Sequence, residues 1–391
     1  MSDDHPVWQG TPMTSLDGAL PGIVDAHVQH WNPRRTPWAA TRASRLSGLV
    51  SRLGDRAFPL IASRADREFV LNPRIVARPY EPPQYATDCA LVPTVFGVPI
   101  ECVVHVESHW RKALPAEEQM SAHSTAVEET RYLRQLPFGR DGAPPLGAIV
   151  AHGDPRDPDF GAMLDELFTV SSEVRGVRLV ATRHPDPKVR SGGDSDNILS
   201  SSRFLDGFAE LAGRDLVFEA AVYSHQLYDV VVLAREYPDT TIVLDHFGMP
   251  AGVFGPIGTR TGATAAARAD IYRLWRERMT TLASYRNVVV KLSGLAMPIL
   301  GYGHERWGNI GGQSTLGEMI GPFVDHVVTH FGSDRIMFGS NFPIDRPNAA
   351  IDVLIGALVD RVSQWGDEAL RRILRDTAVR VYRLDEPASE I

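Results

Sequence analysis

Cysteine is nearly missing from this chain: Cys89 and Cys102 are the only two among 391 residues. Two thiols build neither a disulfide framework nor a zinc–thiolate cluster. So few of them fit a reducing compartment, and the expected localisation is cytoplasmic. Long apolar runs are missing too. No stretch of about 18 apolar residues occurs, so no membrane-spanning helix is expected. Residues 1–10 are polar and acidic and lack the basic start and apolar core of a signal peptide. Blocks of Lys and Arg are also missing, and the formal net charge is -8. Nucleic acid would find no basic stripe to bind, so the expected partner is a small molecule.

Apolar residues make up 43% of the chain, enough for a substantial core. They fall into eight short strand-like runs, at 23–28, 102–108, 147–152, 176–180, 216–222, 241–248, 288–294 and 335–339. Helical patterns separate most of them, at 116–136, 160–169, 204–211, 226–237, 265–282 and 316–330, with two more at 349–359 and 368–379. Eight alternating units predict an α/β fold of the (β/α)8 TIM-barrel type, with long loop insertions, over an open sheet. The barrel is expected as a single domain over 21–385, after an irregular leader at 1–20, with insertions at about 32–100 and 249–285. In the first insertion only a helix at 43–53 is legible; Trp31, Trp38 and Tyr80 there either wall a cleft or cover the barrel. Segments of this length serve as lids, specificity loops or a homodimer contact.

In such a barrel the polar groups at strand carboxyl ends converge on one face. The stretch 335–345 shows the pattern: an apolar run ends in Gly339-Ser340, then Asn341, then Pro343 and Asp345. Asn341 and Asp345 therefore point toward a cleft. Asp25, His27 and Gln29 are spaced two apart and share a face, as do His105 and Glu107. His152, His225 and His246 end other strands, and Asp245 alternates to the face opposite His246, where it would orient structure. Arg178 sits inside an apolar run. A buried guanidinium needs an anionic partner, either a substrate carboxylate or Glu107 or Glu219. Lys291 is expected to be buried against a carboxylate. Arg183, Tyr302, His304 and Trp307 belong to loops around the mouth, and Trp31, Trp110 and Trp307 would stack on a flat ring or simply pack.

Six segments carry a family resemblance, in order over roughly 21–385. They are Asp25-Ala26-His27-Val28-Gln29-His30-Trp31, Val104-His105-Val106-Glu107, Gly176-Val177-Arg178, Val243-Leu244-Asp245-His246-Phe247-Gly248-Met249-Pro250, Lys291-Leu292-Ser293-Gly294-Leu295 and Met337-Phe338-Gly339-Ser340-Asn341-Phe342-Pro343. Together they resemble the amidohydrolase-related (amidohydrolase 2) TIM barrels, in particular the branch of sugar-lactone and 2-pyrone-4,6-dicarboxylate lactonases. The resemblance implies a hydrolase that opens a lactone or related cyclic ester of a small, carboxylated or aromatic substrate. Two family positions differ. The His-x-His pair that ends the first strand is here His27 and Gln29, and a carboxamide is a poor zinc ligand. The carboxylate that commonly ends the last strand is here Asn341, which cannot take a proton from water. The expectation is therefore a metal-independent site without cofactor, with Asp345 or His246 as water base and with His27 and Gln29 polarising the carbonyl. The competing expectation is a divalent metal such as zinc on His27, His246 and Glu219. Two further readings stand beside the lactonase: a metal-dependent non-oxidative decarboxylase of an aromatic or unsaturated acid, and a non-catalytic small-acid-binding barrel.

Overall fold

The computed structural model describes residues 15–36, 63–70, 73–108, 110, 121–302 and 310–384. The expected helix at 43–53, Trp38, His304 and Trp307 lie outside the described residues.

Eight strands form one parallel sheet in sequence order. They are β1 (Ile23–Val28), β2 (Ile100–Val106), β3 (Leu146–His152), β4 (Val174–Val180), β5 (Val217–Ala221), β6 (Ile242–Leu244), β7 (Val288–Leu292) and β8 (Ile336–Phe338). The two ends of the sheet meet just past β8. The Asn341 N–H donates to the His27 carbonyl at 2.8 Å and the Gln29 N–H to the Phe342 carbonyl at 3.0 Å. The fold is thus the expected (β/α)8 barrel. Its strands are Val-rich because both faces are buried. Val24, Val106, Val150, Val243 and Met337 fill the interior toward the floor, where Val379 and Tyr382 of the last helix join them. The opposite face of the strands packs on the helices.

The helix Ser202–Ala212 shows how such a layer is specified. Ser201 caps it by accepting from the Phe204 N–H, and Phe204, Phe208 and Leu211 recur at helical spacing on its buried face. Both Phe rings lie against Phe218 of β5. Burying each such side chain stabilises the fold by about 1.5–3 kcal/mol. No helix among the described residues is long and apolar enough to cross a membrane.

The insertions differ from expectation in detail. The first carries short helices at Arg64–Val70, Pro73–Ala77, Pro82–Asp88 and Val92–Phe96. Each is too short for a readable period, and three begin with Pro in the first turn, where the missing N–H costs nothing. Trp31 and Tyr80 exchange backbone hydrogen bonds at 2.9 and 2.8 Å and are both buried, so they fasten this insertion onto the barrel. In the second insertion, the Thr259 and Arg260 N–H groups donate to Asp186 Oδ2. That bond ties it to the loop at 183–200, which overhangs the barrel mouth.

Candidate active site

β6 is only three residues long, and the backbone then leaves strand geometry. Asp245–Gly248 form a 3-10 turn in which His246 (φ 51°) and Phe247 (φ 43°) are left-handed. Strand alternation therefore stops at Leu244, and Asp245 and His246 both turn to the barrel mouth. Gly294, at φ +64°, leaves the space this needs: a Cβ there would stand 2.8 Å from His246 Nδ1. The Ser293 hydroxyl lies 2.9 Å from the same nitrogen. The His27 ring, from β1, is 4.7 Å from that of His246, and its Nδ1 is 3.6 Å from Asp245 Oδ1. His27, Asp245 and His246 thus bring three ligand atoms within 4.8 Å of one another, all buried.

The chemistry of this trio suits a divalent ion. Burial, reinforced by the nearby Lys291 ammonium, holds His27 well below the usual imidazole value against the pull of Asp245. Burial likewise lowers His246 to about 4. Both rings are neutral at pH 7, the form that ligates metal. Burial opposes ionisation of Asp245, but His27 and Lys291 outweigh it and hold the carboxyl well below the ordinary range. Asp245 Oδ1 is fully buried and has no hydrogen-bond partner. A carboxylate oxygen in that position costs stability unless a cation meets it, and the Lys291 ammonium, at 3.8 Å, stands beyond hydrogen-bond reach. The sequence reading placed Asp245 on the far face and offered Glu219 as the third ligand; the left-handed turn reverses this.

Glu219 instead faces Lys291. The ammonium is 2.7 Å from Glu219 Oε2 and 3.8 Å from Asp245 Oδ1, while the Tyr382 hydroxyl donates to Glu219 Oε1 at 2.5 Å. Burial pushes Glu219 up to about 7, with Lys291 pulling the other way. On the other side of the trio, Arg178 Nε donates to Glu107 Oε1 at 3.0 Å, and its NH1 is 3.4 Å from both His27 Nε2 and Asp245 Oδ2. Arg178 therefore has Glu107 as its anionic partner. The Gln29 amide donates to the Glu107 carbonyl at 2.8 Å.

His105 does not join this group. It faces the outer side of β2, with Nδ1 3.3 Å from His30 Nδ1 and Nε2 3.4 Å from Glu129. Glu107 lies past the last strand residue, Val106, so the two-residue alternation that put both on one face no longer applies. Of the expected mouth residues, His225 Nε2 lies 2.8 Å from the Arg183 carbonyl, and the Arg183 side chain reaches Asp196 at 3.5 Å. Tyr302 is buried against Phe254 and donates to the Leu295 carbonyl. None of these three is in contact with the trio. His152 lines a neighbouring cavity.

Above the trio is a small cleft of about 40 Å3, lined in part by Gln29, Arg178, Tyr223, His246, Met297 and Asn341. Asp345 is fully buried and both its oxygens are engaged. Oδ1 accepts from the Asn341 amide at 2.7 Å and Oδ2 from the Ala296 N–H at 2.8 Å. Burial nonetheless pushes its carboxyl up to about 8, against those two donors. The folded state then holds this proton more tightly than the unfolded chain does. The stabilisation is complete below the ordinary Asp value and is lost as pH rises through about 8. Denaturant melts between pH 4 and 8 should show stability falling by about 1–3 kcal/mol, and Asp345→Asn should flatten that slope. An unchanged slope in the variant would assign it to other groups.

Eight parallel strands with polar groups gathered at their carboxyl ends define a (β/α)8 barrel with an enzyme-type cleft. Comparison with known proteins narrows the class. The amidohydrolase family model (Amidohydro_2) matches residues 108–384, and the chain belongs to that family. An L-fucono-1,5-lactonase of Burkholderia multivorans is 30% identical over 267 residues, 67% of this chain and 78% of the relative. Among solved structures, an amidohydrolase from Burkholderia multivorans with bound zinc superposes with a TM-score of 0.61 at 21% identity, covering 93% of this chain and 99% of that one. The manganese complex of 5-carboxyvanillate decarboxylase from Novosphingobium aromaticivorans gives 0.52 at 12% identity, covering 95% and 98%. At these identities the solved structures speak for the fold.

The expectation of a metal-independent site is overturned. It rests on the changed positions, Gln29 and Asn341, and on Asp245 facing away from His246, which the left-handed turn reverses. The buried His27–Asp245–His246 trio supplies a candidate ligand set for a metal ion.

Proposed function

We propose that this chain is a metal-assisted hydrolase that opens a small lactone or related cyclic ester. The observation that carries this reading is the convergence of two neutral imidazoles and a carboxylate oxygen without a hydrogen-bond donor at the barrel mouth. An ion held by His27, Asp245 and His246 would supply Lewis acidity and acidify bound water. The chain's own residues do the rest. Arg178 and Lys291 flank the trio and set two cations close to where charge develops on a carbonyl oxygen in the transition state. The Asn341 and Gln29 amides line the cleft and orient the ester. Asp345, with both oxygens engaged, fixes the Asn341 amide; it does not act as water base. The 30%-identical L-fucono-1,5-lactonase supports this choice of substrate class.

A second reading, metal-dependent non-oxidative decarboxylation, is favoured by one feature: residue 341 offers an amide where a water base would stand, and loss of carbon dioxide needs no such base. One assay separates the two. Zinc-loaded protein should release acid from aldono-1,5-lactones above the uncatalysed rate. A chelator should suppress this and added zinc restore it. Inert lactones together with carbon dioxide release from hydroxybenzoic acids would replace the first reading with the second.

A further inference from the structure

The cleft over the trio, at about 40 Å3, has room for little more than a reacting group and water. Beside it lies a cavity of about 480 Å3, within the roughly 300–1,000 Å3 range of small-molecule sites. Val180 and Gly192 line both spaces, so they adjoin across the end of β4. Glu107 lines the larger one and holds Arg178, which lines the smaller.

One buried polar atom on the wall of the larger cavity, the Trp110 indole nitrogen, lacks a partner among the described residues, and a buried carboxyl, Glu129, stands on the same wall. Trp110 is 5% exposed, and its indole N–H has no acceptor. Glu129 is 4% exposed and takes all of its hydrogen bonds on one oxygen. The Ser108 N–H (2.7 Å), the Ser108 hydroxyl (2.6 Å) and His105 Nε2 (3.4 Å) all meet Oε1, which leaves Oε2 to the cavity. A buried donor left open is costly unless something fills it, and the free oxygen of Glu129 faces the same space. An anion would satisfy the indole, but the same wall carries Glu107, Asp154, Asp157 and Asp194 against the two guanidinium groups of Arg156 and Arg203, so the balance opposes it. An ammonium would satisfy the carboxyl but cannot accept from the indole. A hydroxyl group does both, and the flat apolar face of an indole suits the C–H face of a polyol ring.

We propose that this cavity is a second subsite, which binds a neutral polyhydroxylated substituent of the substrate while the reactive ring end reaches the trio past Val180 and Gly192. The substrate is then larger than a single ring, and its body is a neutral polyol where the sequence points to a carboxylated or aromatic molecule. The catalytic half of this inference rests on the lactone-opening reading; the binding half does not.

The test uses the full chain and two measurements. Saturation-transfer NMR with lactitol, a neutral disaccharide alcohol with no ester, reads the cavity alone. It should show binding that falls about tenfold in Trp110→Phe, which keeps the ring but removes no more than one hydrogen bond's worth of its chemistry, and likewise in Glu129→Leu. With zinc-loaded protein, kcat/KM for lactobiono-1,5-lactone should exceed that for glucono-1,5-lactone by about tenfold. Trp110→Phe should erase this advantage and leave gluconolactone turnover within about twofold. No saturation transfer to lactitol, or equal transfer in wild type and Trp110→Phe, overturns the subsite. Lactitol binding with both lactones inert keeps the subsite and removes the lactonase reading instead.

Discussion

Replacing Asp245 with Ala is expected to abolish stoichiometric zinc binding and to lower turnover by at least about a thousandfold. The size of the effect follows from charge. Asp245 is the one anionic member of the trio, and two cations stand beside it: Lys291 Nζ at 3.8 Å from Oδ1 and Arg178 NH1 at 3.4 Å from Oδ2. Two neutral imidazoles alone would have to hold a divalent ion against both. Asp245→Asn should behave nearly as badly, because it keeps the shape and removes the charge. Isothermal titration with zinc and metal analysis after dialysis read the outcome directly. One equivalent of zinc retained by Asp245→Ala would remove Asp245 from the ligand set. Secondary structure by circular dichroism separates this from simple unfolding.

Lys291→Met should be among the most destabilising single substitutions in the chain, costing about 3–5 kcal/mol. It strands Glu219 with no counter-ion in the middle of the barrel, 0% exposed, with only the Tyr382 hydroxyl left to it. Exchanging both partners for apolar groups, in the Lys291→Met, Glu219→Leu double variant, should recover most of the loss, since the desolvation of both charges disappears together. Denaturant midpoints of the two single variants and the double variant form the cycle. Additive losses would mean that Glu219 and Lys291 are each held by other partners and not chiefly by one another.

The barrel was legible because it depends on repetition. Eight Val-rich runs and the helical periods between them survive errors of several residues at any boundary, such as the start of β2 at Ile100 in place of 102. The site was legible only where it kept to strand geometry. His27 and Arg178 follow from the spacing of polar residues within apolar runs. A period of two misplaces Asp245, because past Leu244 the backbone enters a turn with positive φ at His246 and Phe247. His105 and Glu107 were put on one face for the same reason, at the end of β2. The signal that was available is the string Asp245-His246-Phe247-Gly248 directly after an apolar run, where Gly marks a break in the strand. The partnership of Glu219 with Lys291 and Tyr382 spans residues 219, 291 and 382, and no local pattern encodes a contact over such separations.

The last helix carries a further consequence. Tyr382 reaches through the barrel floor to Glu219, and the Ser340 and Asn341 N–H groups close the sheet onto Asp25 and His27. During synthesis the N-terminal seven strands leave the ribosome first, with β1 and β7 as open sheet edges. His27 is made early, yet it acquires its surroundings only when residues 340–382 arrive. The nascent chain thus spends most of its translation as an unclosed sheet, the form most prone to pairing with other strands. Chaperone demand should accordingly end with emergence of the final helix, not with completion of the eighth strand.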